Sequence, residues 1–534
     1  MANLACSVDI YPRDGGQYTF HTQNILRIQT ASNLRDGSEK FTIVLAPGGP
    51  SGDTGPSWAQ ILTPMSVCVI AMERGDISNV VMVGVVTDAN ETQVWNPGQN
   101  VIRNTVINGM GFSYFMKTIS VYALTYLSGF NDLFQNLVPG AQTPSLSASF
   151  IGAPTDVAIQ WLQNPTAALP SNYMGGLSPI KVRYNGNVYS ISDVLSSVFV
   201  DNGFYSIPLA SFFIATEGTW DIKMRQILEW PFYEYFVLTG PQDFYSLNAG
   251  DYTTTIFPSQ LFSSQSLTNA KPAIATLVGR RNPYPNLTAG AQDADLTLWN
   301  ALPKFKPKYG GFIQSNQTFS IDGVRNVFGI NSVFAYQIYA NLGEKALTLL
   351  FELNSAVNVD SISRYGFYPE IHFTNYYAQT NLVNTENSET IGASDALVRR
   401  LASWYGPIPQ LAVGAVTMEL RPDIFPGSRF SYYPFRDQQE WTYYIEGVAH
   451  TFDFMGSQSS TTLQMDRGLP SYIYEDQSMV YDLLRGNLVR KDGQYTETNS
   501  NLPTLTLGFL KDSQFFSNLL YPATNLYSQP KPPS

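Results

Sequence analysis

The hydrophobic pattern divides the chain into two β-rich blocks around a mixed middle. In the first block, Phe41-Thr-Ile-Val-Leu-Ala46 predicts a short strand that ends at the Pro/Gly-rich stretch 47–56, a composition that holds no regular structure. Ser66-Val-Cys-Val-Ile-Ala-Met72 and Val80-Val-Met-Val-Gly-Val-Val86 are apolar, β-branched runs joined through Arg74-Gly75-Asp76. That pattern predicts a hairpin, and several such strands in a row predict a small barrel or sandwich. The second block is led by a predicted helix over 393–404, followed by strands over 415–420, 429–434, 440–454 and 461–466. Between the blocks, 112–138 has few helix breakers and repeated Leu and aromatic positions, which predicts a helix. The stretch 219–237 predicts a second helix, kinked or restarted at Pro231. Residues 139–218 mix Pro, Gly, Ser and Asn with short apolar runs and read as an irregular α+β insertion; 250–325 reads as β and loop-rich. The last stretch, 476–534, is polar, and Gln529-Pro-Lys-Pro-Pro-Ser534 reads as an exposed tail. No short-period repeat is present.

Composition narrows the function classes. The 534 residues correspond to roughly three or four domains at about 150 residues each. Charged residues make up 14%, against about 25% in an ordinary soluble protein, while aromatics reach 13%. The surface must therefore be covered largely by Asn, Gln, Ser, Thr and Tyr, and bulk disorder is disfavoured. The net charge of −11 argues against a sequence-independent nucleic-acid binder with a basic face. It leaves open an anionic passage that lets DNA slide by. Cys6 and Cys68 are too few for a disulfide framework, and no zinc spacing exists. The start, Met1-Ala-Asn-Leu-Ala-Cys6, lacks the features of a signal peptide. Ser196 to Ala215 is the best membrane candidate, but Asp201-Asn202-Gly203 and Pro208 interrupt it. The reading is cytoplasmic synthesis without an export signal.

Candidate chemistry is sparse. His21, His372 and His450 are the three histidines, and none lies in HExxH. His450 sits in the strand Tyr443-Tyr-Ile-Glu-Gly-Val-Ala-His450 and by alternation shares a face with Val448 and Glu446, which favours a histidine bonded within a sheet or at an interface. There is no Gly-Lys pair for a Walker loop and no Gly-x-Ser-x-Gly; Gly109-Met-Gly111 lacks a third glycine, and the Gly48–Gly52 loop lacks a lysine. Glycoside cleavage needs two facing acids, for which Asp293 with Asp295, and Asp453 with Asp466, are nominal candidates. Trp220, Trp230, Trp404 and Trp441 suit either a sugar platform or, with their apolar neighbours, core or subunit packing. Arg280-Arg281 and Arg399-Arg400 are too short for a nucleic-acid patch and suit salt bridges or subunit contacts. No residue is assigned a catalytic, cofactor-binding or metal-ligating role, and no cofactor is expected.

The most specific stretch is Met418-Glu-Leu-Arg-Pro-Asp-Ile-Phe-Pro-Gly-Ser-Arg429, then Glu440-Trp-Thr-Tyr-Tyr-Ile-Glu-Gly-Val-Ala-His-Thr-Phe452, then Ser459-Ser-Thr-Thr-Leu-Gln-Met-Asp-Arg-Gly-Leu469. It resembles the second barrel of the baseplate hub proteins of contractile-tailed phages. In that family a Pro-Asp-Ile-x-Pro-Gly turn, a Tyr-Ile-Glu-Gly-Val-x-His strand and a Thr-Thr-Leu-Gln strand ending in Arg-Gly follow one another. Phe41 to Ala46, Trp58, Pro64 to Met72 and Gly84-Val-Val86 resemble the family's first barrel. Trp220-Asp-Ile through Trp230-Pro-Phe-Tyr-Glu-Tyr-Phe236 resembles its middle-domain helix, and Leu277-Val-Gly-Arg-Arg-Asn-Pro-Tyr284 its Arg-x-x-Pro-Phe strand, with Tyr284 in the aromatic place. These matches run in the family's order over about two-thirds of the chain; 139–218 and the part after Leu469 match nothing.

The resemblance implies an α+β, mainly β fold, with two similar small, tail-tube-like β-barrels flanking mixed α/β middle domains. The barrels fall at 1–110 and 411–475. The mixed middle is 111–330 with the insertion 139–218, a connecting α+β segment spans 331–410, and 476–534 is a C-terminal extension. It implies a structural virion protein of the tail baseplate rather than an enzyme. Three copies would place six barrels in a ring, matching a three-fold spike to a six-fold tail tube and nucleating the tube around the DNA channel. The implied partners are further copies of the chain, the central spike, the tail tube, tape-measure and wedge proteins, and passing DNA that is not specifically bound. Two other readings stay open: a tail-associated peptidoglycan or glycan hydrolase, and the hub of a non-contractile tail tip supporting receptor-binding proteins.

Overall fold

In a computed structural model, the structure describes residues 4–50, 56–94, 102–118, 181–184, 187–190, 195–200, 219–239, 275–283, 299–300, 302–307, 311–332, 355–374, 397, 400–402, 404–434, 439–454, 459–475, 488–491, 494–497 and 508–509. The fold is mainly β with a few short helices. The first block holds β1 (Leu4–Tyr11), β2 (Tyr18–His21), β3 (Ile25–Asn33), β4 (Glu39–Leu45), α1 (Trp58–Ile61), β5 (Val67–Arg74), β6 (Ile77–Val94) and β7 (Ile102–Gly111), followed by α2 (Ser113–Thr118). The predicted β5–β6 hairpin forms and turns at Gly75, with β6 running well past the Val86 where the apolar pattern ends. Beyond that point β6 pairs with β7 through Asp88 to Val94, where backbone pairing rather than hydrophobic alternation sustains the strand.

The middle contributes β8 (Lys181–Tyr184), β9 (Asn187–Ser190), β10 (Leu195–Val200), α3 (Trp220–Ile227), β11 (Tyr233–Thr239), β12 (Ala275–Arg281), β13 (Lys304–Phe305), β14 (Phe312–Phe319), β15 (Val327–Ser332), β16 (Ser355–Val357), α4 (Val359–Tyr365) and β17 (Pro369–Thr374). The predicted helix over 219–237 is therefore wrong beyond Ile227. Thr219 Oγ1 caps α3 by accepting from the Ile222 amide, and Pro231 follows in the turn. Tyr233–Thr239 then pairs antiparallel with β12 over seven residue pairs. A short aromatic and β-branched run fits a helix face or a buried strand equally well in sequence, and the partner strand decides. Of the predicted 112–138 helix, α2 is the described part. Most of 139–218 and of 476–534 lies outside the described residues, as does part of 393–404, whose described positions from Leu397 to Tyr405 are helical.

The last block holds β18 (Ala412–Glu419), β19 (Arg429–Tyr432), β20 (Trp441–Asp453), β21 (Ser460–Pro470) and α5 (Ser471–Glu475), followed by β22 (Leu488–Lys491), β23 (Gln494–Glu497) and β24 (Gly508–Phe509). The two β blocks are not separate sheets. They form one thirteen-stranded sheet in the order β14-β18-β21-β20-β3-β4-β7-β6-β5-β1-β2, with β19 joining β20 and β13 joining β19. The junction is the antiparallel pair β3–β20, with Asn33 opposite Gly447 and Arg27 opposite Asp453. Side chains cross it too. Leu420 and Phe452 belong to the same apolar cluster as Val8, Ile28, Ile43 and Ile70 of the first block. The small sheet β10-β12-β11 shares a second cluster with the last block, through Phe236, Leu277 and Val278 against Phe430, Tyr444 and Ile445.

A buried charge pair fixes that middle sheet. Arg280 on β12 is fully buried; its Nε donates to Glu234 on β11, and its Nη2 to the Gly427 carbonyl at 2.9 Å and to Tyr444 Oη at 3.1 Å. Tyr444 in turn donates to Glu234 Oε2 at 2.6 Å. Gly427 takes φ +80°, and a Cβ there would stand 3.0 Å from the Phe236 ring. The Pro-Gly turn thus needs glycine to bring its carbonyl to the guanidinium. Glu234→Ala is expected to destabilise the full chain by about 3–5 kcal/mol in denaturant unfolding, because Arg280 loses its carboxylate in a water-excluded site. The double change Glu234→Leu with Arg280→Met is expected to cost less than Glu234→Ala alone; an additive or larger loss would contradict this account of the pair.

Candidate functional site

Cross-strand register defines one face of the joined sheet. Gln314, Thr417, Thr462, Ala449, Ala31, Lys40 and Met110 lie in one row across β14, β18, β21, β20, β3, β4 and β7. Glu419, Ser460, Thr451, Gln29, Thr42 and Asn108 form the next, and Asn316, Ala415, Gln464, Gly447 and Asn33 a third. Apart from Gly447, these positions are half-buried or exposed, whereas the alternate positions Ile28, Phe41, Ile43, Val416, Leu463 and Phe452 are buried. This is the one-face-wet pattern of an antiparallel sheet, here continuous across two blocks. The wet face is small and polar, with charge limited to Lys40 and Glu419 in these rows; beyond them Arg27 stands opposite Asp453, and Asp88 stands opposite Asn108 and accepts from its Nδ2 at 2.9 Å. Its side chains bond to each other: Asn33 Nδ2 to Gln464 Oε1 at 2.9 Å, Thr417 with Thr462 at 3.1 Å, and Thr42 to Asn108 Oδ1 at 3.0 Å.

The turn between β3 and β4 clamps this junction. The Leu34 amide donates to the Glu446 carbonyl at 2.8 Å. Arg35 reaches Glu446 Oε1 at 2.6 Å and Asp466 Oδ2 at 2.9 Å, and its guanidinium lies 5.4 Å from the centre of the Trp230 ring. Arg225 of α3 donates to the Arg35 carbonyl at 2.9 Å. Two carboxyl groups thus share one guanidinium. Burial and then the neighbouring Asp466 push Glu446 up to about 8, with Arg35 opposing. Glu446 is the extra residue where the β20–β21 register shifts between Ile445 and Gly447. The bulge takes it off the buried face of Val448 and His450, so the simple alternation that grouped the three fails here.

The three histidines stand on different strands with different partners. His21 ends β2 on the surface. His372 Nε2 lies 3.4 Å from Glu229 Oε2, edge-on to Phe232, while Thr374 donates to the same carboxylate oxygen at 2.6 Å. His450 is buried, and burial lowers it to about 4. Thr461 Oγ1 accepts the Arg421 amide at 2.8 Å and lies 2.9 Å from His450 Nδ1. Asp466 faces Tyr444 across the ladder while Asp453 lies nine residues further along β20, roughly 30 Å away. That span exceeds the carboxylate separations of about 5–9.5 Å used by glycosidases. Asp293 and Asp295 lie outside the described residues. The acids that do meet, Glu446 and Asp466, went unnoticed in sequence because a guanidinium from another block brings them together.

The tryptophans pack. Trp230 and Trp404 meet edge to face at 4.6 Å, Arg467 lies 4.2 Å from the Trp404 ring centre, and Trp441 is fully buried against Tyr443. The side chain of Trp220 is outside the described part. Arg400 is buried and donates to the Asn282 carbonyl; Arg399 is outside the described residues. Both cysteines are buried and free, their thiols pushed up by burial, Cys6 to about 12. Among the described residues no cluster of three metal-ligating side chains occurs, and no helix is long and apolar enough to cross a membrane.

No protein-family model and no curated protein sequence matches the chain. Among solved structures it is similar to a tail protein from Neisseria meningitidis MC58 at 10% identity and TM-score 0.45, covering 87% of this chain and 96% of that one. It is also similar to the 43 kDa tail protein of prophage MuSo2 from Shewanella oneidensis, at 10% identity and TM-score 0.41, covering 90% and 98%. The prophage tail protein gp18 from Listeria monocytogenes EGD-e aligns at 8% identity and TM-score 0.41, covering 90% and 100%.

Two pH dependences of opposite sign follow. Between about 4.5 and 8 the folded chain holds a proton at Glu446 that the unfolded chain releases, so this contribution is fully present below 4.5 and is lost as pH rises through 8. The unfolding free energy of wild type minus Glu446→Gln is expected to fall over that window. His450 acts oppositely: its contribution is complete above about 6.5 and is lost as pH falls through 4, by up to about 3 kcal/mol. Wild type minus His450→Asn is expected to fall on acidification over that range; a flat difference would contradict the buried neutral ring.

Proposed function

We propose that this chain is a structural protein of a phage tail or tail-like injection particle, the trimeric central hub of the baseplate. In this reading three copies present six β blocks in a ring, at 1–110 and 411–475 of each, matching a three-fold spike to a six-fold tube and seeding tube assembly. The observation that carries it is the continuous, nearly uncharged polar face spanning both blocks. The ordered run of hub-like motifs from Phe41 to Leu469 supports the same reading.

The face suits a channel lining. Proteins grip DNA mainly by placing Lys and Arg on phosphates and releasing counterions. A face of Thr, Ser, Asn, Gln and Ala, bonded among themselves, offers few cations and no protruding aromatic platform on which bases would stack. DNA then passes with little friction, and the net charge of −11 adds weak repulsion. The motif residues act by packing: Gly427 serves Arg280, Glu446 serves Arg35, and Thr461 serves His450. No catalytic step is required of them.

Quantitative mass spectrometry of purified tails is expected to count three copies per particle. A count in the tens or hundreds would make it a tube, sheath or shell protein, and absence from particles would end the virion reading. Thr462→Lys combined with Gln464→Lys is expected to leave assembly intact but slow DNA delivery. Each new phosphate contact should steepen the salt dependence of DNA retention by about 0.9 in log–log slope.

A further inference from the structure

The bulged end of the β3–β20 junction places two acids on one cation. A single nitrogen, Arg35 Nη2, lies 2.5 Å from Glu446 Oε1 and 2.9 Å from Asp466 Oδ2, so the two carboxyl groups come within hydrogen-bond reach of each other. Their side chains are only 16% and 15% exposed. Two carboxylates this close and this shielded resist ionising together, and one guanidinium offsets only one of them. The other charges around the cluster have their own partners. Arg225 of α3 pairs with Asp221 and donates to the Arg35 carbonyl. Arg467 donates to the Trp404 carbonyl, Lys117 of α2 to the Asp36 carbonyl, and Asp36 accepts the Ser38 amide. Tyr405 is a neutral phenol that burial raises further.

The hydrogen bonds place the proton that such a pair holds. Asp466 has a donor on each oxygen: the Arg467 amide at 2.7 Å on Oδ1 and Arg35 on Oδ2. Glu446 takes both Arg35 bonds, from Nε and Nη2, on Oε1. Its Oε2 is left to carry a hydrogen toward Asp466. Hydrogen bonds to the charged form favour that form, so Asp466 is the anion and Glu446 the acid. The cluster also joins three parts of the chain. Arg35 comes from the turn between β3 and β4, Glu446 and Asp466 from β20 and β21, and the Trp230 ring beneath the guanidinium follows α3.

We propose that Glu446 and Asp466 share one proton beneath Arg35, and that this proton works the joint between the two β blocks and the middle of the chain. With the proton bound the cluster is neutral: Glu446 donates to Asp466, and Arg35 balances the remaining charge. When the proton leaves to solvent the cluster carries one net negative charge, and two carboxylates compete for one guanidinium. The repulsion falls on the β3–β4 turn, which Arg35 holds together with the Leu34 amide on the Glu446 carbonyl at 2.8 Å. In the opened turn the acids separate into water and titrate at ordinary carboxyl values, about 4 to 4.5, whereas in the closed joint Glu446 is pushed up to about 8. Closing therefore takes up a proton between those values and none above them. The joint is tightest in acid, loosens as pH rises toward 8 and changes no further beyond it.

The test follows hydrogen exchange at the Leu34 amide of the full chain from about pH 5 to 9, corrected for the intrinsic pH dependence of exchange. Protection is expected to fall by up to about tenfold per pH unit, the signature of one proton, and to level off above about 8. Glu446→Gln keeps a donor toward Asp466 and cannot ionise, so its protection is expected to stay flat; Asp466→Asn removes the opposing charge and is expected to stay flat too. The Ile445 amide, bonded to the Ser428 carbonyl at 2.9 Å within the last block, is expected not to follow Leu34. A flat wild type, a slope that survives in Glu446→Gln, or the same slope at Ile445 would overturn the proposal. If the variants fail to fold, carbon-13 NMR of the Glu446 carboxyl in the wild-type chain decides. A midpoint well above the ordinary carboxyl range supports the shared proton, and an ordinary one overturns it.

Discussion

The ladder between β3 and β20 is the constraint on which the rest of the molecule depends. It pairs segments near opposite ends of the chain: Asn33 bonds Gln464, 431 positions away. Closing a loop of that length costs on the order of 5 kcal/mol in chain entropy alone, before any contact within it contributes. Seven opposed residue pairs, the Arg35 clamp and the entry of Leu420 and Phe452 into the first block's core are what offset it. Without this ladder the two blocks would each expose a strand edge, and such edges recruit foreign strands.

Buried polar groups set how the middle of the chain sits on that sheet. Arg280, Glu234, Tyr444 and the Gly427 carbonyl form a closed set, in which each charged or hydroxyl group meets a partner of opposite need. A set of this kind adds little stability over an apolar replacement, but it penalises any arrangement that breaks it. It therefore specifies one docking of β11 and β12 against the last block. The same logic holds at Arg35, where a single guanidinium answers two carboxyl groups and covers Trp230.

These pins give the motif-rich stretches of the chain their structural partners. Within Pro422 to Gly427, Tyr443 to His450 and Thr461 to Gly468, the residues Gly427, Tyr444, His450 and Thr461 each meet a specific buried partner. What reaches solvent from the joined sheet is instead mostly Thr, Ser, Asn, Gln and Ala, with Lys40, Glu419 and Asp88 among them.

The sequence by itself determined the mainly β character, the β5–β6 hairpin, the strands of the last block and the low-charge surface, because local alternation and composition record which side of a strand meets water. It also marked Arg280-Arg281 and Arg399-Arg400 as salt-bridging or interface pairs, and Arg280 does meet Glu234. Only the tertiary structure decided the rest. The run 233–239 reads as helix until β12 is placed beside it. Glu446 shares a face with His450 until a bulge turns it toward Arg35. The two blocks read as separate until β3 finds β20. In each case the deciding partner lies far away in sequence, and periodicity within a segment carries no information about which distant edge will satisfy its hydrogen bonds.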